Sequence, residues 1–252
     1  MSHHADHEAE HTPEAIRARL EADTGQGFLK DSIYGAIDGA VTTFAVISSA
    51  AGAGLSSGIV IVLGLANLLA DGFSMAAGNF SGTRAENQAA RKARREEEEE
   101  IERHPEGERE EIRQIFAAKG FEGEVLEEIV SVITADRDRW IDTMMQEEHG
   151  QSGQPPSAWK AAMATFIAFI LIGGVPLAAF LMDLAQPGIV GNPFWPASLL
   201  TGLAFFAIGA VKSRFVDQHW ALGGAETLGI GALAASLAYA VGALLRPLAE
   251  GI

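Results

Sequence analysis

Apolar and charged positions fall into separate blocks along this chain. From Gly39 to Ala70 there is no Asp, Glu, Lys or Arg, and the same holds for Ala161–Met182, Leu184–Val211 and Thr227–Leu245. A hydrocarbon core of about 30 Å takes about 20 apolar residues in helical conformation, so the first block is long enough for two crossings. Its middle, Ala50-Ala51-Gly52-Ala53-Gly54-Leu55-Ser56-Ser57-Gly58, is small and flexible enough to turn. The pattern therefore predicts an all-α membrane protein with five transmembrane helices, near Ser32–Ala51, Ser57–Gly82, Ala158–Met182, Pro193–Val211 and Leu222–Leu245. Pro176, after Gly173-Gly174, is expected to kink the third span.

The polar blocks complete the plan. Residues 1–27 form an acidic, His-containing tail, 28–83 the first two spans, 84–150 a polar insert, 151–157 a linker and 158–252 the last three spans. Within the insert, Arg84–Arg103 continues the second span as helix. Pro105 and Gly107 interrupt it, a helix follows near Glu108–Lys119, and a longer one runs near Glu122–Glu148. The insert is thus expected to hold three helices. The tail places His3, His4, His7 and His11 among Asp6, Glu8 and Glu10, a metal-collecting composition that is more simply a solvated tail.

Charge fixes an orientation and narrows the partners. Five spans put tail, insert and the 212–220 loop on one side, which with Lys160 holds 17 of the 18 Lys and Arg; only Arg246 lies opposite. By the positive-inside rule that side is cytosolic. Residues 1–30 lack the apolar stretch of a signal peptide. The net charge is −15, and 20 of the 33 acids lie between Thr83 and Gly150, which argues for cations and against nucleic acid as partners. Without cysteine there is no disulfide, thiolate metal site or cysteine nucleophile.

Two acids break the apolar pattern. Asp38 lies in the first span and Asp71 in the second, and no Lys or Arg occurs between Asp31 and Thr83. An ionised Asp at the bilayer centre costs about 2.5–3.5 kcal/mol, which leaves a proton or a metal cation as its partner. The two compete for one oxygen, the minimal chemistry of an antiporter. Asn67, Asp71 and Met75, four apart, share a helix face, as do Asp38 and Thr42; Gly35 and Gly39 permit close helix approach. Counted from the cytosolic ends, Asp38 and Met75 lie at similar depth and Asp71 about one turn deeper. A carboxylate beside a thioether suits a transition ion better than Mg2+ or Ca2+. Glu226 lies within reach of Lys212, Arg214 or His219, as an ion pair requires.

In the insert, rotation of about 100° per residue puts Glu108, Glu111, Ile112 and Ile115 on one face and Glu110 opposite. The stripe Ile129, Ile133, Trp140 continues into Met144, with Glu148 one turn on and Met145 beside it. Carboxylates and thioethers converging from several helices make an oxygen-rich site with soft character, suited to Fe2+ or a similar ion.

Asp38-Gly39-Ala40-Val41-Thr42-Thr43-Phe44, Gly64-Leu65-Ala66-Asn67, Ala70-Asp71-Gly72-Phe73-Ser74-Met75-Ala76-Ala77-Gly78 and Met144-Met145-Gln146-Glu147-Glu148 occur in order, spaced by the acidic insert. Over Phe28 to Leu245 the chain resembles the vacuolar iron transporter family. The resemblance implies a dimer of five-span protomers that exports cytosolic Fe2+, and often Mn2+, in exchange for protons along a pathway between the protomers. It implies that Asp38 and Met75 handle metal in the membrane, and that Glu97, Glu100, Glu108, Glu111, Met144, Met145 and Glu148 form the cytosolic site. The five consecutive glutamates Glu96–Glu100 allow a shift of one residue in the first pair, and His149 stands where an apolar residue is more usual.

The expected function is a proton-coupled exporter, not an enzyme, with Fe2+ as substrate, Mn2+, Zn2+ or Co2+ as alternative cargo, and no tightly bound cofactor. Its partners are the metal ions, protons, the lipid bilayer and a second copy of the chain. A membrane-anchored di-iron module would want Glu-x-x-His pairs, and only Glu8 and His11 have that spacing. A passive cation channel differs in needing no pH gradient. Few Lys beside abundant Ala, Gly, Glu and Arg favour a bacterial inner membrane over a vacuolar one.

Overall fold

The computed structural model describes residues 12–21, 26–151, 155–188 and 191–249, which form helices and connecting turns without any strand. It divides into two compact units, Met1–Ala76 with Lys160–Ile252, and Ala77–Trp159.

The first unit contains the apolar helices. Helix α1, Pro13–Glu21, starts at Thr12, whose Oγ1 accepts from the Ala15 amide at 3.2 Å, a side-chain N-cap. This part of the tail is helical and largely exposed; His3, His4, His7 and His11 lie outside the described residues. Helix α2 runs Gln26–Gly52 and helix α3 starts at Ser57. Between them the chain turns at Gly54, whose φ of +73° is readily adopted only without a Cβ. The expected third span is two helices, α7 (Ala158–Gly173) and α8 (Val175–Ala185), bent by 49°. Pro176 lies in the first turn of α8, where its missing N–H costs nothing, and the break falls at Gly174. Helices α9 (Phe194–Lys212) and α10 (Trp220–Ala249) follow. Among the described residues four helices are long and apolar enough to cross a bilayer, and α7 with α8 makes a fifth if the bent pair is one span.

Small residues set the packing. A Cβ on Gly39 would come within 2.5 Å of the Phe169 carbonyl oxygen. Gly35 meets the backbone of Thr165 in the same way, and Gly242 that of Ser49. Helix α2 thus lies backbone to backbone against α7 and α10, the close approach that small residues permit in apolar surroundings. Phe44, Ile47, Leu68, Phe169, Leu177 and Phe180 fill the core between them. Some buried hydroxyls turn back on their own helices and need no water: Thr201 Oγ1 donates to the Ala197 carbonyl at 2.6 Å and Thr227 Oγ1 to that of Gly223 at 2.9 Å, whereas Thr43 Oγ1 and Ser48 Oγ are buried without a partner. The outside is apolar too. Leu199, Leu203, Leu233, Leu237 and Leu244 are exposed, a surface that suits lipid and not water.

The second unit begins within α3, which continues unbroken to Arg103, as the pattern predicts. The chain breaks at His104, before Pro105, as expected, but helix α4, Pro105–Ala118, starts earlier than expected because the proline is accepted in its first turn. The long helix expected over Glu122–Glu148 is two, α5 (Gly123–Thr134) and α6 (Arg137–Glu147). Asp136 divides them: its backbone is extended, and its side chain accepts from the Arg139 amide at 2.8 Å. The insert therefore holds four helical segments and not three. Ile101, Ile112, Val130, Trp140, Ile141 and Met144 form its core.

Substituting Gly39 by Ala should lower the stability of the detergent-solubilised protein by about 1–3 kcal/mol, because two backbones must separate. Gly58→Ala, where a Cβ meets nothing within 4 Å, should stay within about 0.5 kcal/mol of wild type. Thermal unfolding of the two variants side by side checks this.

Candidate functional site

Asp38 sits on α2 and Asp71 on α3, both partly buried. The Asp71 carboxylate is near enough to act electrostatically on Asp38. Among the described residues no Lys, Arg or His lies within ion-pair distance of either. The hydroxyl of Thr42 donates to the Asp38 backbone carbonyl at 2.9 Å, so its proton serves the helix and only its lone pairs remain for a ligand. Asn67 Nδ2 is buried without a hydrogen-bond partner. Met75 is partly buried against the apolar core that contains Phe44 and Phe169. Glu226 is an ordinary ion-pair residue: Lys212 Nζ lies at 3.5 Å and Gln218 donates at 3.4 Å.

The insert sorts its acids into two populations. One is neutralised. Arg113 binds Glu127 through two nitrogens at 2.7 and 3.0 Å and also pairs with Glu110; Arg94 meets Asp142 and Arg137 meets Glu102, each at 2.7 Å, and Lys119 pairs with Glu147. The other has no Lys or Arg within ion-pair distance among the described residues: Glu86, Glu106, Glu122, Glu124, Glu128, Asp136 and Asp138, all exposed, and a second group, Glu97, Glu100, Glu108, Glu111 and Glu148. Surface pairs are each worth little.

That second group converges. Carboxylate oxygens of Glu97, Glu100 and Glu108 lie within 4.8 Å of one another, and so do ligand atoms of Glu97, Glu148 and His149. Glu97 belongs to both sets; it is 2% exposed, and Glu108 is 5% exposed. One oxygen of Glu97 meets His149 Nε2 at 2.9 Å, while Oε2 of Glu97 and Oε2 of Glu108 are buried with no partner. The helical rotation thus predicts the burial of Glu108 and Ile112 and the outward, Arg113-bound position of Glu110. It overstates Glu111, which is exposed and joins the cluster through its charge. Met144 is fully buried and Met145 nearly so, both within the apolar core of the unit.

Crowding shows in protonation. Burial, reinforced by the charges of Glu111, Glu97, Glu100 and Glu148, raises the Glu108 carboxyl to about 7. Burial also raises Glu97, against the lowering effect of its His149 hydrogen bond. Glu111 is raised as well, by partial burial first and then by Glu148, Glu97 and Glu100. Orphaned oxygens, close carboxylates and absent countercharge make a site that takes up protons or a divalent cation.

The sequence profile of the VIT family matches residues 29–243 of the chain. The protein belongs to the VIT family. Among its relatives, the vacuolar iron transporter of Toxoplasma gondii is 31% identical over 247 residues, 96% of this chain and 78% of that protein. Vacuolar iron transporter 1 of Tulipa gesneriana is 30% identical over 220 residues, 86% and 87% of the two chains, and that of Arabidopsis thaliana 29% over 225 residues, 88% of each. With its lipid-suited helices, this VIT-family chain is an integral membrane protein.

Two features of the insert escape the sequence pattern. The break at Asp136 had a signal, an Asp followed by a short charged stretch, the composition of an N-cap. The contact of His149 with Glu97, 52 residues away, had none.

A divalent ion bound by this cluster competes with the proton on Glu108. From pH 8 to pH 6 that competition should weaken metal binding about tenfold for a carboxyl at about 7, whereas one at 4.5 would change almost nothing. The same shift acts on folding. A carboxyl raised in the folded state takes up its proton there first, so the metal-free protein should gain stability as pH falls from about 7 towards 4.5. Calorimetric Mn2+ titrations and chelator-treated unfolding across this range check both signs.

Proposed function

We propose that the protein is a proton-coupled exporter of cytosolic Fe2+, and of Mn2+, working as a dimer of five-span protomers and not as an enzyme. The observation that carries this reading is the pair of intramembrane carboxylates, Asp38 and Asp71, with no described cation to neutralise them. Relatives named vacuolar iron transporters support iron as the cargo. In this reading α7 and α8 make one kinked span, which places the insert with the N-terminus in the cytosol, and the membrane is a bacterial inner membrane. Glu97, Glu100, Glu108, Glu111 and Glu148, with Met144 and Met145, capture the ion from the cytosol. Asp38, Thr42, Asn67, Asp71 and Met75 line its way through the membrane, and protons arriving from the far side release it.

Reconstituted into liposomes, the wild-type protein should take up Fe2+ or Mn2+ when a pH gradient is imposed and far less without one. Asp38→Ala should abolish that uptake; undiminished transport by the variant would falsify the mechanism. Gradient-independent uptake would indicate a channel instead. Replacing both Glu108 and Glu111 by Ala should weaken metal binding at least tenfold, because the double variant removes two of the clustered carboxylates. Calorimetry on the full chain measures this.

A further inference from the structure

We propose that His149 is a nitrogen ligand of the metal-capturing cluster and sets which divalent ion it prefers. This rests on the capture-site reading above and specifies its donor set. Three observations meet at this residue. The ring Nε2 lies 2.9 Å from Glu97 Oε1, and Glu97 and Glu148 bring carboxylate oxygens within 4.8 Å of it and of each other. Glu97, 2% exposed, keeps its second oxygen buried without a partner, as does Glu108, 5% exposed, so the cluster has unused acceptors where a cation would sit. The His149 side chain is itself only 29% exposed and occupies, against Glu97, the place of a countercharge.

Donor chemistry gives the consequence. Carboxylate sets suit Mg2+, Ca2+ and Mn2+, and an added imidazole shifts preference towards Fe2+, Co2+, Ni2+ and Zn2+ along the stability order of the divalent ions. In the metal-free contact a proton lies between Nε2 and Glu97 Oε1; a cation that displaces it, with the ring's remaining proton on Nδ1, meets a lone pair at Nε2 in the space shared with Glu97 and Glu148. Helix α6 ends at Glu147 and Glu148 is its C-cap, so His149 stands just past the helix on a chain that turns at Gly150, φ +64°. The backbone there is no longer bound to helical direction, and the imidazole can swing through the short distance that exchanging a hydrogen bond for a metal bond requires.

The test uses the full-length protein in detergent, in a background where His3, His4, His7 and His11 are Ala, so that tail imidazoles do not bind. Zn2+ and Mn2+ affinities are measured by competition for the parent, for His149→Gln and for the Glu108→Ala/Glu111→Ala pair, with X-ray absorption at one equivalent of Zn2+. His149→Gln keeps a hydrogen-bond donor for Glu97 but loses the nitrogen ligand. It should weaken Zn2+ about tenfold or more and Mn2+ by less than about threefold, and remove one imidazole from the Zn2+ spectrum. An unchanged Zn2+ to Mn2+ ratio, or an equal loss for both ions, overturns the assignment, since a residue that only positions Glu97 affects all ions alike. If His149→Gln is silent while the double Glu variant binds poorly, this inference alone fails. If the double variant also binds as the parent does, the capture site itself fails.

Discussion

Everything in this molecule turns on carboxylates held away from water without a countercharge. An ionised acid so placed is unfavourable unless something positive arrives, and among the described residues no Lys or Arg lies within ion-pair distance of Asp38, Asp71 or the Glu97–Glu108 cluster, where the basic contact is that of His149 with Glu97. This is not for want of basic residues. Arg94, Arg113 and Arg137 lie in the same insert and are bound to Asp142, Glu127 and Glu102. Exposed acids without a base, such as Glu106, Glu124 and Asp138, stay in water; Glu97 and Glu108 differ in being buried, close together and each with an oxygen that has no partner.

The rest of the fold serves that constraint. In the membrane unit, glycines at positions 35, 39 and 242 let backbones touch, which fixes α2 without any polar contact that would neutralise Asp38. Core hydroxyls such as Thr201 and Thr227 satisfy themselves within their own helices. Asn67 is the contrast, a buried amide nitrogen with nothing to donate to. Thr43 Oγ1 and Ser48 Oγ on α2 are likewise buried without a partner, while Thr42, one turn from Asp38, is satisfied by its own helix. In the insert, the apolar core of Ile112, Trp140 and Met144 supplies the low-dielectric surroundings. These, with the neighbouring charges, lift Glu108 to about 7.

Much of this is legible in the sequence because it depends on period and charge. The apolar blocks give the membrane helices, and their ends move by only a residue or two where flanking charges or prolines are clear, as for α9. Asp38 and Asp71 stand out since nothing basic surrounds them in sequence, and the three-dimensional structure brings no described base to them either. Errors arise where a local capping choice competes with periodicity. Pro105 reads as a breaker but is accepted at a first helical position, and Asp136 ends one helix and caps the next where the apolar stripe runs on unbroken. Glu111 lies on the predicted face, yet at its exposed margin, because α4 is covered on one side only. The pairing of His149 with Glu97 is a long-range contact that no periodicity encodes.

A transporter must bind its ion firmly enough to select it and loosely enough to release it. A site built only of ionised carboxylates would bind tightly and indiscriminately, with protons competing only in strong acid. Raising Glu108 to about 7 puts the competition at ordinary pH, so each gain in metal affinity is offset by the proton that must first leave. Selectivity then has to come from the kind of donor and not from the amount of negative charge, since added glutamates would raise the proton's affinity together with the metal's. The imidazole at the edge of the cluster is a donor of another kind, placed where it can supply that difference.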